Sequence, residues 1–88
     1  MLISGDRHIS EVSRMDLPEL GYPLYDFTSS GLTHAYAGNT TEPNRFRVSP
    51  LVNQRSFGLL RIDWASATPK ITMEARGLNN VEFFKIEF

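Results

Sequence analysis

The chain has 88 residues, with nine basic and ten acidic side chains and a formal net charge of −1. No run of like charge exceeds two residues, so nothing in the sequence indicates a nucleic-acid or membrane surface. The absence of cysteine excludes disulfides and thiolate metal sites. The length allows one small domain over residues 1–88, and we expect neither a signal peptide nor a membrane span.

The first third of the chain predicts two short strands. Leu2–Ser4 is an apolar strand fragment, and residues 24–30 form a second strand with Tyr25 and Phe27 on one face. Between them, Ile9, Val12 and Met15 are spaced three apart, which suits a short helical turn, although Ile9 and Val12 also suit a bent strand. Residues 31–57 have no strong period, and so long a loop usually covers a site or packs on another part of the domain.

The C-terminal third predicts a three-stranded antiparallel meander over residues 57–64, 69–76 and 81–88. Apolar and polar residues alternate in each segment, which is typical of half-buried strands. Gly77 and the Asn79–Asn80 pair tolerate the positive φ of a hairpin turn. The inward-facing side chains are predicted to be Leu60, Ile62, Trp64, Ile71, Met73, Ala75, Phe84, Ile86 and Phe88. The fold class is therefore mainly β (α+β), with three C-terminal strands and two shorter N-terminal ones.

The strand at Leu2–Ser4 raises the question of what flanks it. A strand of three residues cannot hold a sheet by itself, so we expect the chain to be the tail of something longer. A free sheet edge also invites pairing with another copy, and a homo-oligomer is predicted on that ground.

The stretch after this strand carries the most distinctive chemistry. Gly5 opens a turn that presents Asp6 and His8 two residues apart. A carboxylate oxygen and an imidazole nitrogen are both good ligands for a divalent metal ion. By itself an Asp-x-His pair is more often an ordinary turn, and at most it supplies half of a metal site.

Several other polar residues have two possible roles each. Arg45 and Arg47 flank Phe46 at strand spacing, so they either hold a substrate phosphate or pin the long loop by pairing with a carboxylate such as Glu42. His34 either reaches a cleft or is an ordinary loop histidine.

Two further features favour structural roles. Glu11 is predicted to make a surface salt bridge with Arg7 or Arg14. Ser29 and Ser30 have no histidine or carboxylate placed as in a catalytic triad, and hydrogen bonding at a strand end explains them.

Four blocks of sequence together are more specific than any one motif. They read SGDRHISE at residues 4–11, YPLYDFTSSGLT at 22–33, NRFRV at 44–48 and FGLLRIDW at 57–64. In these blocks the chain resembles the C-terminal end of the alkaline phosphatase D-like metallophosphatases, within the calcineurin-like metallophosphoesterase superfamily. The resemblance covers nearly all 88 residues.

The resemblance implies a two-layer β-sandwich flanked by helices, with two or more divalent or trivalent metal ions at the strand ends. Such enzymes hydrolyse phosphate esters, and many of them are exported. His8 matches the final histidine of the superfamily's last metal-binding motif, usually Gly-His-x-His. Asp6 replaces the first histidine and is expected to be a ligand or to orient one.

The other metal-binding motifs of that superfamily do not occur in this sequence. We therefore expect the chain to be a C-terminal portion of such an enzyme, inactive alone. The alternative is a non-catalytic β-module that self-associates through strand edges. A third possibility is a metal site shared between copies, with His8 and Asp6 contributed by each chain.

Overall fold

The computed structural model describes residues 1–35, 43–65 and 67–87. These residues form a mainly β structure of two three-stranded sheets, joined by loops and one short 3-10 helix. The strands are β1 (Leu2–Ser4), β2 (Ser10–Asp16), β3 (Pro23–Ser29), β4 (Ser56–Asp63), β5 (Lys70–Gly77) and β6 (Glu82–Glu87). The 3-10 helix covers Leu78–Asn80, and no helix in the described ranges is long and apolar enough to cross a bilayer.

Sheet A has the strand order β1-β3-β2. β1 pairs with β3 in parallel, and β2 pairs with β3 in antiparallel fashion over its whole length, from Ser10 opposite Ser29 to Asp16 opposite Pro23. The alternative of a short helical turn between the two predicted strands is therefore wrong, and that segment is a third N-terminal strand. An isolated helical turn forms few backbone hydrogen bonds for the residues it orders, whereas this strand gains a full ladder along β3.

Sheet B is the predicted antiparallel meander, in the order β4-β5-β6. The turn between β5 and β6 places Asn79 at φ 58° and Asn80 at φ 62°, as its sequence predicted. Asparagine tolerates this left-handed conformation better than most residues.

The core lies between the two sheets. It consists of Val12, Tyr25, Phe27, Val52, Met73, Ala75 and Phe84, with Phe83 and Ile86 packed against it at partial exposure. Tyr25 and Phe27 share the buried face of β3 as predicted, and the ring centroids of Phe27 and Phe84 are 6.2 Å apart. Phe88, also predicted to be in the core, lies outside the described residues.

The prediction that Trp64 is a core residue is wrong, because its side chain is 72% exposed. Leu60 and Ile62, predicted to share a face with Trp64, are also exposed. The beginning of β4 packs on sheet A, where Gly58 faces the Phe27 ring, but burial falls off toward Asp63. Alternation therefore identified the common face of these residues, while the extent of the opposing sheet decided which of them are covered.

The second part of the long loop packs along the free edge of β2. Ser10 and Val52 exchange two backbone hydrogen bonds of 2.9 Å, and the Val48 amide donates to the Val12 carbonyl at 2.9 Å. The Arg14 amide donates to the Phe46 carbonyl at 2.8 Å. Residues 46–52 thus cover an edge that would otherwise be open, which is one of the two roles expected for so long a loop.

Glu74, in the middle strand of sheet B, is only 1% exposed. Its carboxylate accepts hydrogen bonds from the Nη2 and Nε atoms of Arg76, at 2.5 and 3.1 Å, and from Nε of Arg61. Hydrogen bonds from Arg76 and then from Arg61 lower the pKa of Glu74 below its ordinary value, against an opposing effect of burial.

This lowered pKa gives the folded state a defined dependence on pH. Since the pKa of Glu74 is lower in the folded than in the unfolded chain, its contribution to stability is complete above an unfolded-state value of about 4.3. The contribution is lost as the pH falls through the folded-state pKa. In urea unfolding between pH 7 and pH 3, we expect Glu74→Gln to be less stable than the parent at pH 7, by an amount that shrinks with acidification. Glu87→Gln, at an exposed glutamate near Lys85, is the control. An unchanged Glu74→Gln difference across this range would contradict the assignment.

Candidate functional site

The candidate site begins where β1 ends. Gly5 to His8 leave the strand as an exposed loop, with φ of 72° at Asp6 and 57° at His8. Both residues are in the left-handed region of backbone conformation, which residues other than glycine adopt at a cost in free energy. Such strain is found more often at binding and catalytic sites than elsewhere.

The fold brings His34 to this loop from a distant part of the sequence. The centroids of the His8 and His34 rings are 6.3 Å apart, with an interplanar angle of 30°. The approach follows from a backbone hydrogen bond of 3.1 Å from the Ser30 amide to the Ile9 carbonyl, which holds the segment after β3 against the His8 loop. His34 is exposed, as is His8, and the chain has no other histidine.

A neighbouring hydroxyl group orients His34. The Oγ1 atom of Thr33 is 3.1 Å from Nδ1 of His34, which leaves Nε2 of that ring able to bind a ligand. The opposite ring nitrogen of a metal-binding histidine is usually held in this way. Thr33 was not among the residues predicted from the sequence, although its position directly before His34 was a possible signal.

Two imidazoles alone do not make a complete metal site. In the described parts of the chain, no group of three or more His, Cys, Asp or Glu side chains is placed to hold a metal ion. Asp6 is exposed on the same loop as His8, but it does not complete a cluster with the two rings. A catalytic zinc site needs at least three protein ligands.

The predicted salt bridge between Glu11 and Arg7 is present, but the prediction that Glu11 lies on the surface is wrong. Glu11 is 1% exposed, and its carboxylate binds Arg7 at 3.0 Å and also Arg47. Asn44 donates a further hydrogen bond of 3.3 Å from Nδ2. The other predicted partner, Arg14, instead pairs with Asp16 at 3.2 Å. Glu11 is buried because Arg7 and the 44–47 segment cover the outer face of β2, a contact between distant segments that local sequence does not reveal.

Arg45 and Arg47 differ in environment, because residues 44–47 form a turn and not a strand. The Arg47 amide donates to the Asn44 carbonyl at 3.1 Å. Arg47 pairs with Glu11 and so holds this segment against β2, which is the second of its two predicted roles. Glu42, the carboxylate named in that prediction, lies outside the described residues. The Arg45 guanidinium lies 4.8 Å from the ring centroid of Phe46 and is exposed. A phosphate contact by Arg45 stays a prediction.

The left-handed conformation of His8 can be separated from its side chain by mutation. We expect His8→Gly to be more stable than His8→Ala by about 1 kcal/mol, because only glycine removes the strain at positive φ. Urea unfolding monitored by circular dichroism would measure the difference. Equal stabilities would indicate that position 8 does not hold this conformation in solution.

No protein-family model, no curated protein and no solved structure matches this chain. The description of the chain comes from its own fold and site: it is a small two-sheet β protein with an exposed pair of histidines, one of them in a loop with left-handed backbone conformation.

Proposed function

We propose that the chain is part of a metal-dependent phosphoester hydrolase, and that it contributes His8 and His34 to a metal centre completed by other polypeptide. The observation that carries this proposal is the convergence of these two rings from segments 26 residues apart. The resemblance of four sequence blocks to alkaline phosphatase D-like enzymes supports it independently, since one of those blocks contains His8.

The arrangement of the two rings suits a shared cation. With metal–nitrogen bonds of about 2.0–2.1 Å and tetrahedral angles, two ligating imidazoles have centroids about 5 Å apart. The observed 6.3 Å is within about 1.5 Å of this value, and both side chains are exposed. Asp6, on the same loop as His8, is the candidate for a carboxylate ligand or for a group that orients one.

A cation at this position would polarise a phosphoryl oxygen and acidify a bound water. The chain's own residues bind and orient: His8 and His34 offer ring nitrogens, and the Thr33 hydroxyl fixes the orientation of the His34 ring. Because two imidazoles leave most coordination positions to water, we expect no hydrolysis of phosphate esters by the isolated chain.

The test is a Zn²⁺ titration monitored by NMR of the imidazole protons, which is simple because the chain has two histidines. We expect both rings to shift together at one equivalent of Zn²⁺, and His34→Ala to weaken binding by at least about tenfold. Asp6→Asn tests whether the Asp6 carboxylate contributes to Zn²⁺ binding. Asp63→Asn, at the C-terminal end of β4, is the control. Independent titration of the two rings would overturn the shared site.

Self-association through a strand edge is the second candidate function, and the open edge of β4 favours it. In the described sheets β4 pairs only with β5, so its other edge is open over eight residues. An antiparallel pair of β4 strands centred on Ile62 would place Arg61 opposite Asp63 and Leu60 opposite Trp64. Opposite charges and apolar pairs facing each other across such a ladder are stabilising.

The oligomeric state tests this second candidate. By light scattering after size-exclusion chromatography, we expect a dimer at micromolar concentration and a monomer for Ile62→Lys. Tyr22→Lys, at an exposed aromatic residue of the β2–β3 connection, should stay dimeric. A monomeric parent chain would contradict association through β4.

A further inference from the structure

Three segments meet at the end of the sandwich that carries the two histidines. The Ser30 amide donates to the Ile9 carbonyl at 3.1 Å, and the Ser56 amide donates to the Gly31 carbonyl at 2.9 Å. The His8 loop, the segment leading to His34 and the start of β4 are therefore neighbours in space. Arg55, directly before β4, belongs to this end of the molecule.

A cleft of about 370 Å³ opens at this end, between the start of β4 and the turn after β5. Its rim is apolar, because Leu32 and Leu78 are each more than 70% exposed and Phe57 also contributes an exposed ring. The remaining lining residues are Arg55, Ser56, Gly77, Asn79 and Asn80. Leu32, two residues before His34, and Leu78 are not part of the core between the sheets.

Arg55 supplies the only charge among the residues that line the cleft. It is exposed, and within the described ranges it makes no ion pair. Arg47 and Arg76, in contrast, are each held by a buried glutamate. An arginine without a carboxylate, beside an apolar surface, is suited to bind an anion that carries an apolar group.

The turn beyond β5 holds two carboxamides at the same cleft. Asn79 and Asn80 are both in the left-handed conformation, which fixes the backbone that carries them. A second cleft of about 380 Å³ shares Arg55 and Leu78 and adds Val81 and Phe83. Arg55 therefore lines both clefts, each of which also contains exposed apolar side chains.

We propose that this cleft binds a small phosphate ester of an aromatic alcohol, with Arg55 on the phosphate and the ring against Leu32, Phe57 and Leu78. The volume is in the range of small-molecule sites and suits a single aromatic ring with its phosphate. The choice of phosphate over another anion rests on the proposed phosphoester hydrolase function. The evidence that the cleft binds an anion with an apolar group is the charge and exposure of its own residues, and it does not depend on that function.

The experiment is a titration of the metal-free 88-residue chain with phenyl phosphate, monitored by backbone amide NMR. We expect shifts confined to Leu32, Arg55, Phe57 and Leu78–Asn80, and affinity at least about tenfold higher than for inorganic phosphate or phenol. Arg55→Gln should weaken binding about tenfold, and Leu78→Gln should weaken it several-fold. Arg14→Gln, at an exposed arginine that does not line the cleft, is the matched control and should bind as the parent does.

The outcomes separate this inference from the proposed function. Absence of shifts with phenyl phosphate, or binding unaffected by Arg55→Gln, would overturn the cleft even if both histidines bind Zn²⁺. Tighter binding of benzoate than of phenyl phosphate would overturn the assignment of the anion. Failure of the Zn²⁺ titration, with phenyl phosphate bound as expected, would count against the metal centre alone.

Discussion

Phe27→Ala is expected to lower the free energy of unfolding by about 3–5 kcal/mol, the usual cost of deleting a core phenylalanine. Phe27 is buried on β3, packs on Phe84 across the two sheets, and lies under Gly58 of β4. For a chain of this size the total stability is of the order of 5–10 kcal/mol. The variant should therefore be partly or wholly unfolded at 25 °C.

Urea unfolding followed by far-ultraviolet circular dichroism measures this effect. Tyr22→Ala is the control, because it also removes an aromatic ring but from an exposed position. We expect the control to differ from the parent by less than about 0.5 kcal/mol. A loss below 1 kcal/mol for Phe27→Ala would mean that the two sheets do not pack through this ring.

The second large effect is expected for Glu11→Ala. This substitution removes the acceptor of Arg7, Arg47 and Asn44, and hydrogen bonds to a charged group contribute about 1.5–3 kcal/mol. We expect a loss of about 2 kcal/mol in stability. Locally, the 44–48 segment should detach from the edge of β2.

Amide hydrogen exchange distinguishes this local effect from a general loss of stability. The amides of Arg14 and Val48, which bond across the β2 edge, should lose more protection than those in the β4–β5 ladder. Glu19→Ala, at an exposed glutamate, is the control. Unchanged protection of Arg14 and Val48 in Glu11→Ala would show that the ion pairs do not hold this segment.

The sequence predicted those parts of the fold that depend on local patterns. Alternation located the three strands of sheet B, and the Asn79–Asn80 pair marked the turn that joins two of them. The strand at Ser10–Asp16 was ambiguous, because its apolar spacing fits a helical turn as well as a strand. Only the long-range ladder with β3 decides between them.

The prediction for Trp64 failed for a different reason. Period-two alternation says which side chains share a face, but not how far the opposing sheet extends. Glu11 shows the reverse case: a charged residue predicted to be on the surface is buried by a turn more than 30 residues away. In both cases the missing information was the position of a distant segment.

The candidate site was predictable in its chemistry but not in its assembly. Gly5-Asp6-Arg7-His8 stood out because of its metal-ligand residue types, and His34 was predicted either to reach a cleft or to be an ordinary loop histidine. That these two rings lie side by side depends on the hydrogen bond between Ser30 and Ile9. The cleft around Arg55 had no local signal, since its members come from three separate segments.

We propose above that His8 and His34 bind one and the same cation. X-ray absorption at the zinc edge, on the chain loaded with one equivalent of Zn²⁺, tests it most directly. We predict two imidazole nitrogens in the first coordination sphere, at about 2.0–2.1 Å, and one in His34→Ala. A spectrum with a single imidazole that is unchanged in His34→Ala would contradict the account.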